Sequence, residues 1–256
     1  MSKRSDADIA RLYHLHSSFD KGRSADPQID FDRTPARFRT YPGAARTPLP
    51  GRDFALEMTL GTALLQRRSI REYALRPLPL GTLGRLLHTS YGVRGLREVD
   101  GEWSFHRPAP SAGARYPLEI YVATQAVESV ADGIYHYDAR GHALELMRPG
   151  LAQPALVDLL LGQEMVRDTN VVIVIAGNRE RTMWKYGQRG YRHVLLDAGH
   201  AGQNLYLVAT ALGLGPAGVG GFYDVELAAF LDLPEEEEPF YVLCIGQPAP
   251  AAAPAG

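Results

Sequence analysis

The chain has 256 residues, of which 45% are hydrophobic, so it can form one large domain or two small ones with a sizeable core. Its formal net charge is −2, so no bulk field attracts nucleic acid or an anionic membrane. The only cysteine, Cys244, lies in an apolar run, which predicts a core residue and excludes a disulfide framework. No apolar signal segment or membrane-spanning run is present, so we expect a cytoplasmic protein without nucleic-acid or membrane partners.

Three parts of the chain differ in composition. Residues 1–52 are polar and rich in proline, and they predict an N-terminal arm with one short helix around Ile9–Phe19. Such an arm is either disordered or wraps a partner subunit. Residues 53–248 form the main domain, and residues 249–256 form a low-complexity Ala/Pro tail that we expect to be disordered.

The main domain alternates helical and strand patterns. Helices are predicted to begin at Leu60 and Leu80, and residues 93–115 read as a long loop. A helix is predicted at Leu151–Leu161, and Asp224 is predicted to N-cap another that runs to Leu231. Residues 235–238 are expected to form a solvated turn. The predicted strands are Leu118–Thr124, Gly133–Tyr137, Ala143–Met147, Val171–Ala176 and Phe240–Ile245.

The strand pattern predicts an α+β fold with a mostly antiparallel sheet. Between the second and third strands, Asp138-Ala-Arg-Gly141 reads as a hairpin turn with Gly141 at positive φ. The sheet is expected to be flanked by helices.

One long helix is predicted at Gly190–Leu212, because apolar residues recur there in steps of three and four. Gly213 is a natural stop. The small residues Ala198, Gly199, Ala201 and Gly202 predict a smooth patch that another backbone can approach closely. The helix is either a core helix of a monomer or a helix at a subunit interface, and periodicity alone does not separate these alternatives.

The usual catalytic and metal-binding motifs are absent from the sequence. There is no HExxH, nucleophile elbow, P-loop or dinucleotide fingerprint, and no metal site is expected. His193 and His200 share a helix face but are two turns apart, which is too far to share one ion.

Three local features indicate a ligand site instead. Arg67, Arg68 and Arg71 surround Ser69, which suits a phosphate, although a solvated basic turn has the same composition. Small residues before a strand can lie flat against a planar ligand, and backbone N–H groups at glycines can reach a heteroatom of a cofactor. The small-residue turn is Pro110, Ser111, Ala112 and Gly113, and the glycine segment is Gly218, Val219, Gly220 and Gly221.

The segments RRSIREY, PSAGARYPLEIYV, GIYHYD, KYGQRGYRHVLLDAGHAGQNLYL and GLGPAGVGGFYD together resemble the flavin-dependent nitroreductase superfamily. Within it they resemble the SagB-type dehydrogenases, which include azoline oxidases of thiazole- and oxazole-forming peptide pathways. The resemblance covers about residues 53–248, and its motifs appear in the family's order.

The resemblance implies an FMN enzyme and a homodimer with two active sites at the subunit interface, so the long helix becomes the dimer helix. It assigns Arg67, Arg68, Ser69 and Arg71 to the FMN phosphate and ribityl chain, and Pro110–Gly113 to a turn supplied by the other subunit. Val219, Gly220 and Gly221 match the segment whose backbone faces flavin N5. Lys185 and Tyr186 match the catalytic pair of azoline oxidases.

The sequence departs from the family pattern at two places. Asp197 stands where the branch usually has Glu, and the Ala/Pro tail replaces a basic segment that reaches the phosphate in simpler nitroreductases. We therefore expect phosphate binding to depend more on Arg67–Arg71.

Azoline aromatisation removes a proton and a hydride from the ring. FMN N5 is expected to accept the hydride, with dioxygen as the final acceptor. Lys185 is expected to act as base, with its neutral form favoured by Arg189 and Arg192 and with Tyr186 as relay, unless Lys185 is merely exposed.

Two further functions remain open. One is an NAD(P)H-dependent nitro- or quinone reductase, and the other is a non-catalytic subunit of a peptide-modifying complex. A peptide or peptide-derived substrate and a cyclodehydratase complex are the expected partners of the azoline oxidase.

Overall fold

A computed structural model describes residues 4–21, 29–53, 55–99 and 102–250. The helices are α1 (Arg4–His16), α2 (Leu60–Gln66), α3 (Leu80–Tyr91), α4 (Gln153–Leu159), α5 (Glu180–Tyr186), α6 (Arg189–Ala211) and α7 (Asp224–Phe230). The strands are β1 (Arg46–Pro48), β2 (Gly95–Val99), β3 (Glu102–His106), β4 (Leu118–Thr124), β5 (Gly133–Asp138), β6 (Ala143–Pro149), β7 (Val171–Asn178), β8 (Gly215–Val219) and β9 (Glu237–Gly246).

One seven-stranded sheet organises the domain, in the order β1-β6-β5-β4-β7-β9-β8. Every neighbouring pair in it is antiparallel, which confirms the predicted α+β fold with a mostly antiparallel sheet. All residues of the central strands β4 and β7 are buried, as their continuous apolar sequences predict.

Both faces of the sheet are covered by helices, because alternate side chains of each strand point to opposite faces. On one face, Ile120 and Ile173 join the core formed with α3 and α6. On the other face, Tyr121 and Val172 join the core formed with α4 and α7.

Helix α6 differs by one residue at each end from the predicted Gly190–Leu212, and Gly213 follows it with φ +73°. Ala198, Ala201 and Gly202 of the predicted small-residue patch are buried against the chain's own core, so the close approach at these positions is within one chain. A Cβ at Gly202 would lie 2.6 Å from the Tyr241 ring on β9. Gly202 therefore lets α6 approach its own sheet, and only Gly199 of the four faces open space.

The second part of the N-terminal arm is fastened to the sheet of its own chain. Strand β1 pairs with β6, and the Arg39 backbone N–H donates to Glu119 at 2.9 Å. The Arg39 guanidinium binds the buried Glu237 at 2.7 Å. These contacts make residues 36–48 part of the domain surface.

A buried histidine lies beneath this arm. His136 is 2.9 Å from Glu145 and 3.1 Å from Glu119. Burial lowers the pKa of His136, but its hydrogen bonds to the two carboxylates outweigh burial and raise that pKa to about 9. His136 is therefore a charged member of the core at neutral pH.

Helix α1 packs on the first turns of α6. Ser17, just after α1, accepts a bond from Arg192 Nε at 2.7 Å and another, through its carbonyl, from Arg189 at 3.1 Å. Tyr13 meets Tyr191 edge to face. These contacts hold Arg189 and Arg192 on α1 and give no support to the expectation that they favour a neutral Lys185.

Several local predictions were wrong. Part of the predicted loop 93–115 forms the β2–β3 hairpin. Glu237 and Glu238 belong to β9, where Glu237 is buried by Arg39, rather than to a solvated turn. Asp224 is the first residue of α7, and the N-cap is Tyr223 without a side-chain bond.

The turn between β5 and β6 also differs from the prediction. The positive φ belongs to His142 (+52°) and not to Gly141. Gly141 is needed because a Cβ there would collide with the Asp138 carboxylate, which accepts bonds from the backbone N–H groups of Arg140 and Gly141. At the C-terminus, the Ala249 N–H donates to Glu72, and residues 251–256 of the predicted tail lie outside the described residues.

Candidate active site

The basic segment Arg67–Arg71 follows α2 and lies along the edge strand β8. Ile70 donates its backbone N–H to Pro216 at 2.9 Å, and its side chain packs on Gly215, where a Cβ would lie 2.7 Å from it. Edge-strand geometry and a glycine thus fix a segment that has no secondary structure of its own.

This segment carries positive charge without a protein counter-ion. Arg68 and Arg71 are exposed, and Arg67 lies over the Tyr206 ring at 5.5 Å. No carboxylate within the described ranges forms an ion pair with these three arginines. Guanidinium groups in this state suit an anionic ligand with several oxygens.

Tyr206 of α6 joins the basic segment to the glycine segment. Its hydroxyl accepts a hydrogen bond from the Gly218 N–H at 2.6 Å and lies 2.9 Å from Ser69 Oγ. With Gly218 as donor, the single phenolic hydrogen is available for Ser69 Oγ. Tyr206 thus holds the Ser69 hydroxyl beside β8, where its remaining hydrogen-bonding capacity can serve a ligand.

The glycine segment ends β8 and opens to solvent. Val219 is buried and pairs with Val242, so only its backbone can serve a ligand. Gly220 and Gly221 are exposed, and a Cβ at Gly220 would have no described atom within 4 Å. The chain's own packing does not require a glycine at 220, whereas close approach of a flat ligand would.

The Lys185–Tyr186 pair lies at the end of α5 and packs on the Pro110–Gly113 turn of the same chain. Gly113 has φ +56°, and a Cβ there would collide with the Tyr186 hydroxyl and lie 3.4 Å from Lys185 Nζ. Gly113 is thus required by both backbone conformation and close packing. Ser111 Oγ accepts the Tyr116 N–H at 2.9 Å, which fixes the turn, and Pro110 is exposed.

Two residues of α6 complete this group, and sequence reasoning did not assign them to the site. His193 meets Tyr186 edge to face, with ring centroids 5.0 Å apart. Asp197 is only 4% exposed, and its Oδ2 has no hydrogen-bond partner among the described residues. Their spacing of four residues on one helix, next to KY, was the available signal.

The acid–base state of these residues follows from burial. Burial raises the pKa of Asp197 to about 6, although hydrogen bonds from Ser111 and the Ala112 N–H act against it. Burial and the charge of Arg189 lower the pKa of His193. An imidazole, a lysine, a phenol and a destabilised carboxylate grouped in this way are suited to proton transfer.

The sequence-predicted residues form two separate groups within one chain. We call Arg67–Arg71, Tyr206 and Gly218–Gly221 the basic half-site, and Ser111–Gly113, Lys185, Tyr186, His193 and Asp197 the acid–base half-site. Asp197 and Tyr206 are nine positions apart on α6, which is about 13 Å along its axis.

Two leucines are exposed on the outward face of α6, beside the acid–base half-site. Leu196 is 58% exposed and Leu195 42% exposed, next to the open Gly199. Leu60, Leu64 and Leu65 of α2 are exposed as well. Clustered exposed leucines on a folded domain are typical of a protein interface.

Two kinds of site are not found in the described part of the chain. Its His, Cys, Asp and Glu side chains form no group of three that could hold a metal ion. Within the same residues, no helix has the length and apolarity needed to cross a membrane.

Comparison with known proteins identifies the family. The nitroreductase family model matches residues 64–247, most of the chain, so the chain belongs to the nitroreductase family. The fold is accordingly nitroreductase-like, and members of this family typically use flavin cofactors.

A Methanocaldococcus jannaschii protein and an Anabaena variabilis crystal structure, each named a "putative nitroreductase", are similar to the chain. The first is 39% identical over 194 residues, which cover 75% of this chain and 92% of that protein. The second has a TM-score of 0.77 at 25% identity and covers 97% of this chain and 50% of that one.

The chain is also similar to the microcin B17-processing protein McbC of Escherichia coli. The two are 32% identical over 135 residues, which cover 51% of this chain and 50% of McbC. The chain therefore matches only half the length of this relative.

Asp197→Asn tests whether the acid–base half-site contains a destabilised carboxylate. A raised pKa means that the folded state binds more protons than the unfolded state between about pH 4 and pH 6. Wild-type stability therefore falls as the pH rises through this range. Asn cannot ionise, so the variant should gain about 1–3 kcal/mol over wild type between pH 4 and pH 7.5. Urea unfolding of both proteins at pH 4 and at pH 7.5 measures this gain. If the variant and the wild type differ in stability by the same amount at both pH values, the raised pKa of Asp197 is contradicted.

Proposed function

We propose that this protein is an FMN-dependent dehydrogenase of the SagB type that oxidises thiazoline or oxazoline rings in a peptide to azoles. The observation that carries the proposal is the packing of Lys185 and Tyr186 on Gly113, beside the buried Asp197. This places an amine and a phenol together in a flavin-family fold, as proton abstraction from a ring requires. The relative McbC, named for microcin processing, supports a peptide substrate.

The basic half-site suits FMN. Arg67, Arg68 and Arg71 would hold its phosphate, and Ser69 would donate to a phosphate or ribityl oxygen. The open backbone at Val219, Gly220 and Gly221 would face the flavin ring. Bound FMN would supply the acceptor for the hydride that leaves the azoline.

The acid–base half-site would handle the proton. Lys185 takes it from the ring carbon, and Tyr186 orients the amine or relays the proton. Gly113 keeps both side chains against the turn, which limits their rotamers before substrate arrives.

A homodimer would complete the site. Within one chain the two half-sites are separated along α6, and exposed leucines lie on the outward face of this helix and on α2. We propose that two copies pack through this face, so that the basic half-site of one meets the Pro110–Gly113 turn of the other. The same proposal includes a cytoplasmic location. It also includes a cyclodehydratase partner, which would form the azoline.

A second candidate is an NAD(P)H-dependent nitro- or quinone reductase, which the name of the M. jannaschii relative favours. Rapid bleaching of the bound flavin by NAD(P)H, without azoline oxidation, would decide for it. The third candidate, a non-catalytic subunit, predicts a protein that takes up no flavin.

Tyr206→Phe tests the basic half-site. The variant has no hydroxyl to bond Ser69 Oγ, so Ser69 loses the contact that orients its hydroxyl toward the phosphate. FMN affinity should fall about three- to tenfold, which corresponds to one neutral or charge-assisted hydrogen bond. Riboflavin, which has no phosphate, should bind both proteins equally by fluorescence titration. An equal loss for both flavins would mean that Tyr206 acts only through packing, and FAD in the purified protein would exclude an FMN site.

Lys185→Ala tests the base. It should keep flavin but lose about 10²–10⁴ of the turnover rate on a thiazoline-containing peptide. Lys185→Arg should be nearly as slow, because a guanidinium does not release its proton near neutral pH. Tyr186→Phe should lie between wild type and Lys185→Ala.

Glu180→Gln, at the exposed other end of α5, is the control and should turn over normally. If Lys185→Arg restores kcat and alters only KM, Lys185 binds substrate and is not the base.

Leu196→Glu combined with Gly199→Glu tests the dimer. Two carboxylates on the apolar face of α6 should prevent close packing, so the variant should elute as a monomer and lose flavin. Leu151→Glu, a similarly exposed leucine outside α6, is the control. Light scattering after gel filtration and the flavin-to-protein absorbance ratio give the readouts. A dimeric, yellow double variant would place the interface elsewhere.

A further inference from the structure

A groove of about 880 Å³ adjoins the basic half-site at Gly220, which is one of its lining residues. Its walls are α7, the start of β9 and Tyr191 at the beginning of α6. Its volume is in the range of small-molecule and peptide sites. Since Gly220 belongs to the basic half-site, whatever occupies the groove ends next to that half-site.

The floor of the groove is apolar. Phe222, Ala228, Leu233 and Phe240 line it, and Val225 at its edge is 78% exposed. An exposed apolar surface of this shape favours a ligand with apolar side chains.

The charged residues that line the groove are all acidic. Asp224, Glu235, Glu237 and Glu238 line it, together with no Lys, Arg or His. Arg39 neutralises Glu237 and Arg179 neutralises Glu238 from outside the groove, at 2.7 Å and 2.6 Å. Among the described residues, the carboxylates of Asp224 and Glu235 form no ion pair. The groove therefore keeps two uncompensated negative charges, which are complementary to a cationic ligand.

An unpaired edge of β9 runs along the groove. Strand β7 pairs with β9 along Glu237–Ile245, whereas β8 pairs only with Val242–Gly246. Residues 237–241 thus have a sheet edge that β8 does not cover, and most of them line the groove. An extended peptide can lie beside such an edge, but Pro239 has no N–H and the register shifts at Phe240, so side-chain contacts in the groove rather than a continuous ladder would hold it.

We infer that this groove binds the peptide substrate as an extended segment with apolar and basic side chains, which lies along the free edge of β9. The inference rests on the proposed function for the peptidic nature of the substrate. The segment in the groove positions the azoline at Gly220, so recognition is separated from the reacting ring.

A binding experiment without turnover tests this inference. The probe is a short fluorescein-labelled peptide of alternating leucine and arginine, and its partner has glutamate in place of arginine. Fluorescence anisotropy with the purified flavoprotein should show binding of the basic peptide only. Asp224→Lys combined with Glu235→Lys should weaken this binding about tenfold or more, since two attractive charges become repulsive.

The matched control is Glu226→Lys combined with Asp158→Lys, which changes net charge equally on exposed helix positions outside the groove. It should bind the basic peptide as wild type does. Equal weakening in the control would mean that bulk charge drives binding and would overturn the inference. Equal binding of both peptides, or no binding of either, would also overturn it.

Two further measurements, the oligomeric state and the oxidation of a thiazoline peptide, distinguish failure of this inference from failure of the proposed function. If the groove variant becomes monomeric and no peptide binds the wild type, a second copy of the chain covers the groove and the inference fails. If the wild type oxidises a thiazoline peptide but binds neither probe, only the groove is misassigned. If it binds the basic probe but oxidises no azoline, the proposed reaction fails and the groove stands.

Discussion

The structure depends on the close approach of α6 to the antiparallel sheet. A side chain at Gly202 would collide with Tyr241, so the glycine lets the helix lie against β9. The same approach puts Tyr206 in hydrogen-bond contact with Gly218 at the end of β8. It also buries Asp197 beside the Ser111–Gly113 turn. The packing of α6 on the sheet at Gly202 thus fixes the position of both half-sites, since each is attached to a different turn of one rigid helix.

The basic half-site carries positive charge and the acid–base half-site contains a carboxylate, and neither group is fully compensated by protein contacts. The arginines of the basic half-site form no ion pair with a carboxylate of the described residues, which suits a phosphate. The acid–base half-site has a carboxylate whose charged form is destabilised by burial. A buried carboxylate in this state is costly unless a function accounts for it. This pattern, in a nitroreductase-family chain, connects the geometry to redox chemistry with a proton transfer.

Local sequence patterns predicted those elements whose burial is uniform along their length. The run Val171–Ala176 became the buried centre of β7, and the three-four spacing of α6 gave that helix to within one residue at each end. Prediction failed where a distant partner decides the outcome. Glu237 reads as a solvated acid, yet Arg39, almost two hundred residues earlier, buries it within β9. The positive φ of the β5–β6 turn lies at His142, and Gly141 is required instead because the Asp138 carboxylate occupies the space beside it.

By itself, the sequence determined the α+β fold, the extent of the long helix and the motifs of a flavin-dependent family, because periodicity and short motifs are local properties. Only the tertiary structure decided which face each residue of that helix presents. It turned Gly202 to the sheet and Gly199 to the outside, and it put His193 and Asp197 beside Tyr186 and the Ser111–Gly113 turn. It also exposed the free edge of β9 next to an acidic groove. These relations join segments far apart in the chain, and no spacing within one segment encodes them.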